Sequence, residues 1–102
     1  MVKVLFKKLS SSVEIPSYKT NGASGMDLMA FIDRPIKLAP NSSCIVPTGF
    51  SVAFSNKYEI QIRPRSGLAA NNNISVLNTP GTIDSDYRGE IKIILFNHGR
   101  EE

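Results

Sequence analysis

The residues from Asn78 to Ile93, NTPGTIDSDYRGEIKI, place two acids, a tyrosine and an arginine between two glycines, just before an apolar run. On a strand, Asp84 and Asp86 would share a face, because successive side chains point to opposite sides. An ionised carboxylate can take a proton from a bound water, and the flat ring of Tyr87 can pack against a ligand. The segment therefore predicts either a small-molecule site with general-base chemistry or a turn that carries polar side chains and binds no ligand.

A second polar group lies in the stretch IRPRSGLA. Arg65, Ser66 and Gly67 offer a guanidinium, a hydroxyl and a freely oriented backbone N–H, which together suit phosphate oxygens. The fit improves if SGLAA begins a short helical turn whose N–H groups point at the anion. An exposed strand end with solvated arginines is an equally good interpretation of this stretch alone, and the spacing of a P-loop is absent.

A third group lies in GASGMDLMA, where Asp27 enters an apolar stretch that is predicted to be a strand. A carboxylate buried there would need a partner, and by itself this pattern indicates a turn whose aspartate caps a neighbouring amide. Direct metal ligands are not predicted, because hard cations need six or more oxygens and no compact acidic loop is present. The one cysteine excludes an internal disulfide and a Cys-rich zinc site, and the one histidine, His98, is expected to be exposed rather than catalytic.

The elements that must position these groups are short strands separated by Gly/Pro/Asn/Ser turns, with no sustained helical periodicity. This pattern predicts one all-β domain over residues 1–102, a sandwich, barrel or jelly roll. The predicted strands are Val2–Leu9, Leu28–Phe31, Ile36–Leu38, Cys44–Val46, Ser51–Phe54, Tyr58–Arg63, Ile74–Leu77 and Glu90–Phe96. The far half of the last strand is apolar on both faces, so we expect a second sheet on one face and a neighbouring subunit on the other.

Composition narrows the class of protein. A hydrophobic fraction of 41% with 21% charged residues is ordinary for a globular domain, and no apolar run approaches the roughly 20 residues of a membrane helix. The first residues do not form a signal peptide, so a cytoplasmic location is expected. The net charge of +3 is spread along the chain, which argues against nucleic acid or membrane as a partner but leaves room for a compact anion.

Taken together, the three groups resemble the first three motifs of the trimeric dUTPases (deoxyuridine 5′-triphosphate nucleotidohydrolases). The matching residues are Gly25-x-Asp27-Leu28, then Pro64 to Ala69, then Gly81-x-Ile83-Asp84-x-Asp86-Tyr87-Arg88-Gly89. The resemblance covers nearly the whole chain. It implies a β jelly roll that assembles as a homotrimer with active sites shared between subunits. It also implies hydrolysis of dUTP to dUMP and pyrophosphate, with Mg²⁺ held by the triphosphate and by water.

The resemblance also implies roles for individual residues. Asp84 would be the catalytic base that activates the water attacking the α-phosphate, and Tyr87 would pack under the deoxyribose and exclude a 2′-hydroxyl. Asp27 would act through water on the metal shell, while Asp86 and Arg88 would brace the turn by an ion pair or hydrogen bonds. The remaining substrate-binding residues would be Arg65, Ser66 and Gly67 for phosphate, and Asn78, Gly81 and Ile83 for uracil.

Two family motifs have no counterpart in this sequence: the fourth, which ends in a phosphate-binding glutamine, and the fifth, a Gly-rich C-terminal arm. We therefore expect the chain to be truncated at its C-terminus. Two alternatives to dUTP hydrolysis stay open. One is a relative of the dCTP deaminases, although PRSGLA lacks their Arg-Ser-Ser. The other is a non-catalytic trimer that binds deoxyuridine nucleotides or has a structural role.

Overall fold

The computed structural model describes residues 2–102, which form seven strands and one short helix. The elements are β1 (Val4–Lys8), β2 (Ser42–Pro47), β3 (Phe50–Phe54), β4 (Ile60–Ile62), α1 (Ser66–Asn72), β5 (Ile74–Val76), β6 (Gly81–Ile83) and β7 (Lys92–Asn97). The strands pair antiparallel in three small sheets, ordered β1-β3, β2-β7-β5 and β4-β6. The predicted all-β class is therefore confirmed. The predicted strands that correspond to β1, β2, β3, β5 and β7 are correct to within two residues at each end.

The core lies where β1 and β3 meet the segment before β7. Val13, Phe50, Val52 and Ile91 are almost fully buried there. Phe6 packs its ring edge against Phe50, with 5.4 Å between the ring centroids and 61° between the planes. Edge-to-face pairs of this kind add to the free energy of apolar burial. The core therefore fixes the end of the Asn78–Ile93 segment, since Ile91 is one of its members.

The turn between β2 and β3 is packed inside this core rather than exposed. Gly49 has φ +79°, and a Cβ at that position would lie 2.6 Å from Cγ2 of Val13. Both its conformation and its surroundings therefore require glycine. The neighbouring Thr48 is 2% exposed, and its hydroxyl donates to the carbonyl of Ile91 at 2.6 Å. The turn is thus joined directly to the residues that precede β7.

Helix α1 corrects the expectation of a chain without helices and confirms the short helical turn proposed for SGLAA. It begins after Arg65, which has extended backbone, and ends at Asn73, which adopts the left-handed conformation with φ 58°. Asparagine tolerates that conformation and is a common helix end. No residue of α1 is buried, so the sequence carries no apolar stripe that would reveal it. Within residues 2–102, no helix has the length and apolar character needed to cross a bilayer.

Two strand predictions, Leu28–Phe31 and Ile36–Leu38, are wrong, because both segments lie in chain without regular secondary structure. Their apolar side chains stay partly in solvent, and Phe31 contributes one backbone bond, from its N–H to the carbonyl of Pro47 at 2.8 Å. Apolar composition favours a strand only where a neighbouring strand is available for pairing. The predicted Tyr58–Arg63 strand is likewise shortened to β4.

The central strand β7 leaves one apolar face uncovered in the single chain. Ile94 lies opposite Ile45 of β2, and Ile45 is 62% exposed. The four apolar residues from Ile93 to Phe96 are each only half-buried. In the single chain, the side of the β2-β7-β5 sheet that carries Ile45 and Ile94 therefore presents apolar surface to solvent.

Candidate active site

The predicted catalytic residue Asp84 follows β6 directly and opens a tight turn. The N–H of Tyr87 donates to the carbonyl of Asp84 at 3.1 Å, which closes the turn. Asp84 and Asp86 therefore do not share a strand face, as their spacing suggested, because the strand ends at Ile83. The turn leaves the Asp84 carboxylate exposed to solvent.

Asp84 and Tyr87 line the same cleft, which has a volume of about 160 Å³. The cleft is lined by Thr82, Ile83, Asp84, Tyr87, Ile91 and Lys92. It combines a carboxylate, a flat ring and an ammonium group with an apolar floor, and so offers general-base chemistry beside a surface for a sugar or base. Sequence reasoning does not single out Lys92, although the alternation of EIKI already places it opposite the apolar residues of that strand.

The residues flanking Tyr87 hold its turn together. The Tyr87 hydroxyl donates to the carbonyl of Glu90 at 2.8 Å. The guanidinium of Arg88 donates to the carbonyls of Ser85 and Tyr87. Of the two alternatives for Asp86 and Arg88, the hydrogen-bonded one is confirmed for Arg88. An Asp86–Arg88 ion pair is not formed among the described residues.

Asn78 and Gly81, the predicted uracil-reading residues, contact each other at the start of β6. Gly81 is buried, and a Cβ there would lie 3.2 Å from the side-chain nitrogen of Asn78. Asn78 is exposed, and neither residue lines the cleft that holds Asp84. Of the residues predicted to read uracil, the structure brings only Ile83 next to Asp84 and Tyr87.

Asp27 and Arg65, from the first and second motifs, come together at a different cavity of about 150 Å³. Nε of Arg65 lies 3.5 Å from Oδ1 of Asp27, and their side chains are 68% and 46% exposed. Asp27 is therefore not buried in a strand. The free-energy cost of burying its carboxylate away from water does not arise. Ser66 and Gly67 begin α1 next to this pair and are exposed. The first amides of a helix have no acceptor within it, so they are free to bind an anion.

The β4–β6 pair keeps these two groups apart within one chain. Ile62 lies opposite Gly81 and Ile60 opposite Ile83. Since the strands are antiparallel, Arg65 follows one end of the pair and Asp84 follows the other. The two cavities share no lining residue.

Comparisons with known proteins show the family of this chain. A family model described as dUTPase matches residues 11–102. The chain is 52% identical over 98 residues to a deoxyuridine 5′-triphosphate nucleotidohydrolase of Treponema denticola, covering 96% of this chain and 68% of that protein. It is 54% identical over 95 residues to the Chlamydia pneumoniae protein of the same name, covering 93% of this chain and 66% of that protein. The chain thus spans about two thirds of the length of these relatives.

Solved structures show the same fold. A mutant dUTPase from phage phi11 of S. aureus, described as coordinating a structural Mg(II) ion, superposes with a TM-score of 0.84 at 20% identity, covering 96% of this chain and 61% of that one. A second structure of the phi11 dUTPase gives a TM-score of 0.83 at 21% identity, covering 95% and 60%. The family match extends over most of the chain, and the fold it predicts is the one observed. This chain belongs to the dUTPase family.

Proposed function

We propose that the protein containing this chain hydrolyses dUTP to dUMP and pyrophosphate, and so keeps uracil out of DNA. The observation that carries the proposal is that, in a chain of the dUTPase family, an exposed carboxylate and a tyrosine line one cleft. We further propose that residues 1–102 constitute a single domain and that the protein acts in the cytoplasm, a location that cell fractionation would test.

Asp84 is the general base of this reaction. Its carboxylate orients a water and removes its proton as the water oxygen attacks the α-phosphorus. The bond to the bridging oxygen of the β-phosphate breaks, and pyrophosphate leaves. The exposure of Asp84 suits this role, because the carboxylate must come within one hydrogen bond of the attacking water.

Selectivity for the deoxynucleoside comes from the same cleft. The ring of Tyr87 packs under the deoxyribose and leaves no space for a 2′-hydroxyl, which rejects UTP by exclusion. Ile83 in the cleft reads the uracil edge, together with Asn78 and the backbone at Gly81, which lie outside the cleft at the start of β6. Backbone donors and acceptors distinguish uracil from cytosine, and close packing excludes the methyl group of thymine.

Arg65, Ser66 and Gly67 bind the phosphate chain. The guanidinium of Arg65 carries five N–H donors, and its 3.5 Å pairing with Asp27 leaves most of them free for phosphate oxygens. Because the Arg65 side chain is 68% exposed, a phosphate reaches it without displacing other side chains. The hydroxyl of Ser66 and the amide of Gly67 add uncharged donors at the start of α1.

We propose that Mg²⁺ accompanies the substrate into this site. Among residues 2–102, no group of three or more His, Cys, Asp or Glu side chains is placed to hold a metal ion. The ion would be held by triphosphate oxygens and water, with Asp27 accepting a hydrogen bond from a metal-bound water. When bound, it neutralises charge on the phosphate oxygens.

We propose that the functional unit is a homotrimer with shared active sites. Arg65 and Asp84 follow opposite ends of the β4–β6 pair and line separate cavities, which favours a site completed by a second subunit. The exposed Ile45 next to Ile94 offers the apolar surface for that contact. Ile45→Lys should convert the trimer to monomer in analytical ultracentrifugation. The matched control Leu5→Lys, at a residue that is 56% exposed on the β1-β3 sheet, should leave the trimer intact.

The test of the function is pyrophosphate release from dUTP, compared with dCTP, dTTP and UTP, in the presence of Mg²⁺. Residues 1–102 and the full natural protein should be assayed side by side. Hydrolysis of dUTP alone by the full protein supports the proposal. Conversion of dCTP to a deaminated product would favour a deaminase, and dUTP binding without turnover in either protein would favour a non-catalytic binding trimer.

A further inference from the structure

Gly89 lies in direct contact with the ring of Tyr87. A Cβ at position 89 would come within 2.7 Å of the tyrosine hydroxyl oxygen, 2.8 Å of Cζ and 3.1 Å of Cε1. Gly89 has no positive φ, so its backbone conformation is open to any residue. By contrast, a Cβ at Gly22 would meet nothing within 4 Å. The group that a side chain at position 89 would meet is therefore the ring of Tyr87.

The hydroxyl of the same tyrosine binds a backbone carbonyl that is itself held in place by neighbouring hydrogen bonds. The Tyr87 hydroxyl donates to the carbonyl of Glu90 at 2.8 Å. The Glu90 carboxylate accepts the N–H of Gly49 at 3.0 Å, which joins this residue to the buried β2–β3 turn. The next residue, Ile91, donates its N–H to the carbonyl of Phe50 at 3.0 Å. The carbonyl that receives the tyrosine hydroxyl is thus fixed to the core on both sides.

We infer that Gly89 is a positioning residue for sugar selectivity: with the Glu90 carbonyl, it sets the plane of the Tyr87 ring. The bare backbone at position 89 lets the ring lie close against the chain, and the hydrogen bond from its hydroxyl stops it from turning away. A ring held in this way presents a face of fixed position and orientation to a bound ligand. This inference rests on the proposed function, in which that surface supports the deoxyribose and excludes the 2′-hydroxyl.

The first test is Gly89→Ala in the full natural protein, with Gly22→Ala as the matched control. The added methyl group must push the ring from its position, because the ring is the nearest group that can move. We expect the ratio of kcat/KM for dUTP to that for UTP to fall about tenfold, the factor that corresponds to a side chain held off its preferred rotamer. Gly22→Ala should leave the ratio unchanged.

A double-mutant cycle separates this role from a general effect on the fold. In a Tyr87→Ala protein the ring is absent, so adding Gly89→Ala should not lower the selectivity ratio further. An equal fall in both backgrounds would overturn the inference, because Gly89 would then act without the tyrosine. Tyr87→Phe keeps the ring but removes the hydrogen bond to the Glu90 carbonyl, and should lower the ratio by about threefold, within the range of one hydrogen bond.

A readout without nucleotide distinguishes failure of this inference from failure of the proposed function. The ring-proton chemical shifts of Tyr87 should change in Gly89→Ala and not in Gly22→Ala. Unchanged shifts would overturn the inference whatever the activity. A change in shifts with an unaltered dUTP/UTP ratio would also overturn it. Failure of the parent protein to hydrolyse dUTP would instead count against the proposed function.

Discussion

The two parts of the candidate site are held by very different means. The Tyr87 turn, residues 84–91, is fixed by hydrogen bonds to its own backbone and to the buried β2–β3 turn, and it ends in the core residue Ile91. The Asp27–Arg65 group, which also includes the first turn of α1, has one exposed ion pair at 3.5 Å and a helix with no buried residue.

The difference agrees with the roles proposed for the two parts. Rejecting a hydroxyl or a methyl group by exclusion, the role proposed for the Tyr87 turn, requires a surface that does not move. Binding a phosphate chain depends on charge and donors, which act over a longer range and tolerate side-chain motion. Substitutions in the Tyr87 turn should therefore change turnover and selectivity. Substitutions in the Asp27–Arg65 group should change the affinity for substrate.

The sharpest test of the Tyr87 turn is Asp84→Asn, which keeps the shape of the side chain but removes the base. We expect kcat for dUTP to fall by about 10²- to 10⁴-fold, the usual contribution of a general base. Binding of dUTP, measured by calorimetry, should change little. Asp86→Asn is the matched control, since Asp86 is exposed two residues away and does not line the cleft. Unchanged turnover in Asp84→Asn would contradict the assignment.

The proposed role of the Asp27–Arg65 group in phosphate binding is tested by Arg65→Ala. Loss of its charge-assisted hydrogen bonds to phosphate should raise KM for dUTP roughly tenfold to a hundredfold. The effect on kcat should be smaller than that of Asp84→Asn. Arg34→Ala removes an exposed arginine that lines neither cavity, and it should leave KM unchanged. If Arg65→Ala lowers kcat as severely as Asp84→Asn, the contrast between the two parts is wrong.

The connection of the Tyr87 turn to the core is tested by Thr48→Val, a change of similar shape. It removes the buried hydrogen bond from the Thr48 hydroxyl to the carbonyl of Ile91, although the Thr48 N–H still donates to that carbonyl. The free energy of unfolding should fall by about 1 kcal/mol in urea titration. Ser10→Ala, which removes an exposed bond between two serine hydroxyls, is the control. Equal stability of Thr48→Val and the parent would show that this bond does not hold the turn.

The smallest effect is expected for Asp27→Asn, which breaks the exposed ion pair with Arg65. An exposed pair contributes at most about 1 kcal/mol, so the free energy of unfolding should change by less than in Thr48→Val. Asp33→Asn, in the same irregular and exposed segment, serves as the control. A larger loss of stability in Asp27→Asn than in Thr48→Val would show that the Asp27–Arg65 group is held more tightly than the Tyr87 turn.

Part of the site can be predicted from sequence because it depends on local residue types. The spacing from Gly81 to Gly89 places a carboxylate and a ring beside an apolar strand, and Asp84 and Tyr87 do meet in one cleft. The group Arg65-Ser66-Gly67 is also local, and it does begin a short helix. The contact between Asp27 and Arg65 could not be predicted from either stretch alone, since it joins residues far apart in the chain.

The sequence by itself determined the all-β class, most of the strands and the family. The reason is that the alternation of apolar and polar residues, the turn residues and the motif spacing are all local features of short segments. Only the tertiary structure decided that residues 28–31 and 36–38 form no strand, that Arg65 and Asp84 follow opposite ends of β4–β6, and that Gly89 faces the Tyr87 ring. The physical reason is that a strand needs a partner for its backbone groups, and a side chain's contacts depend on which distant residues the register brings to it.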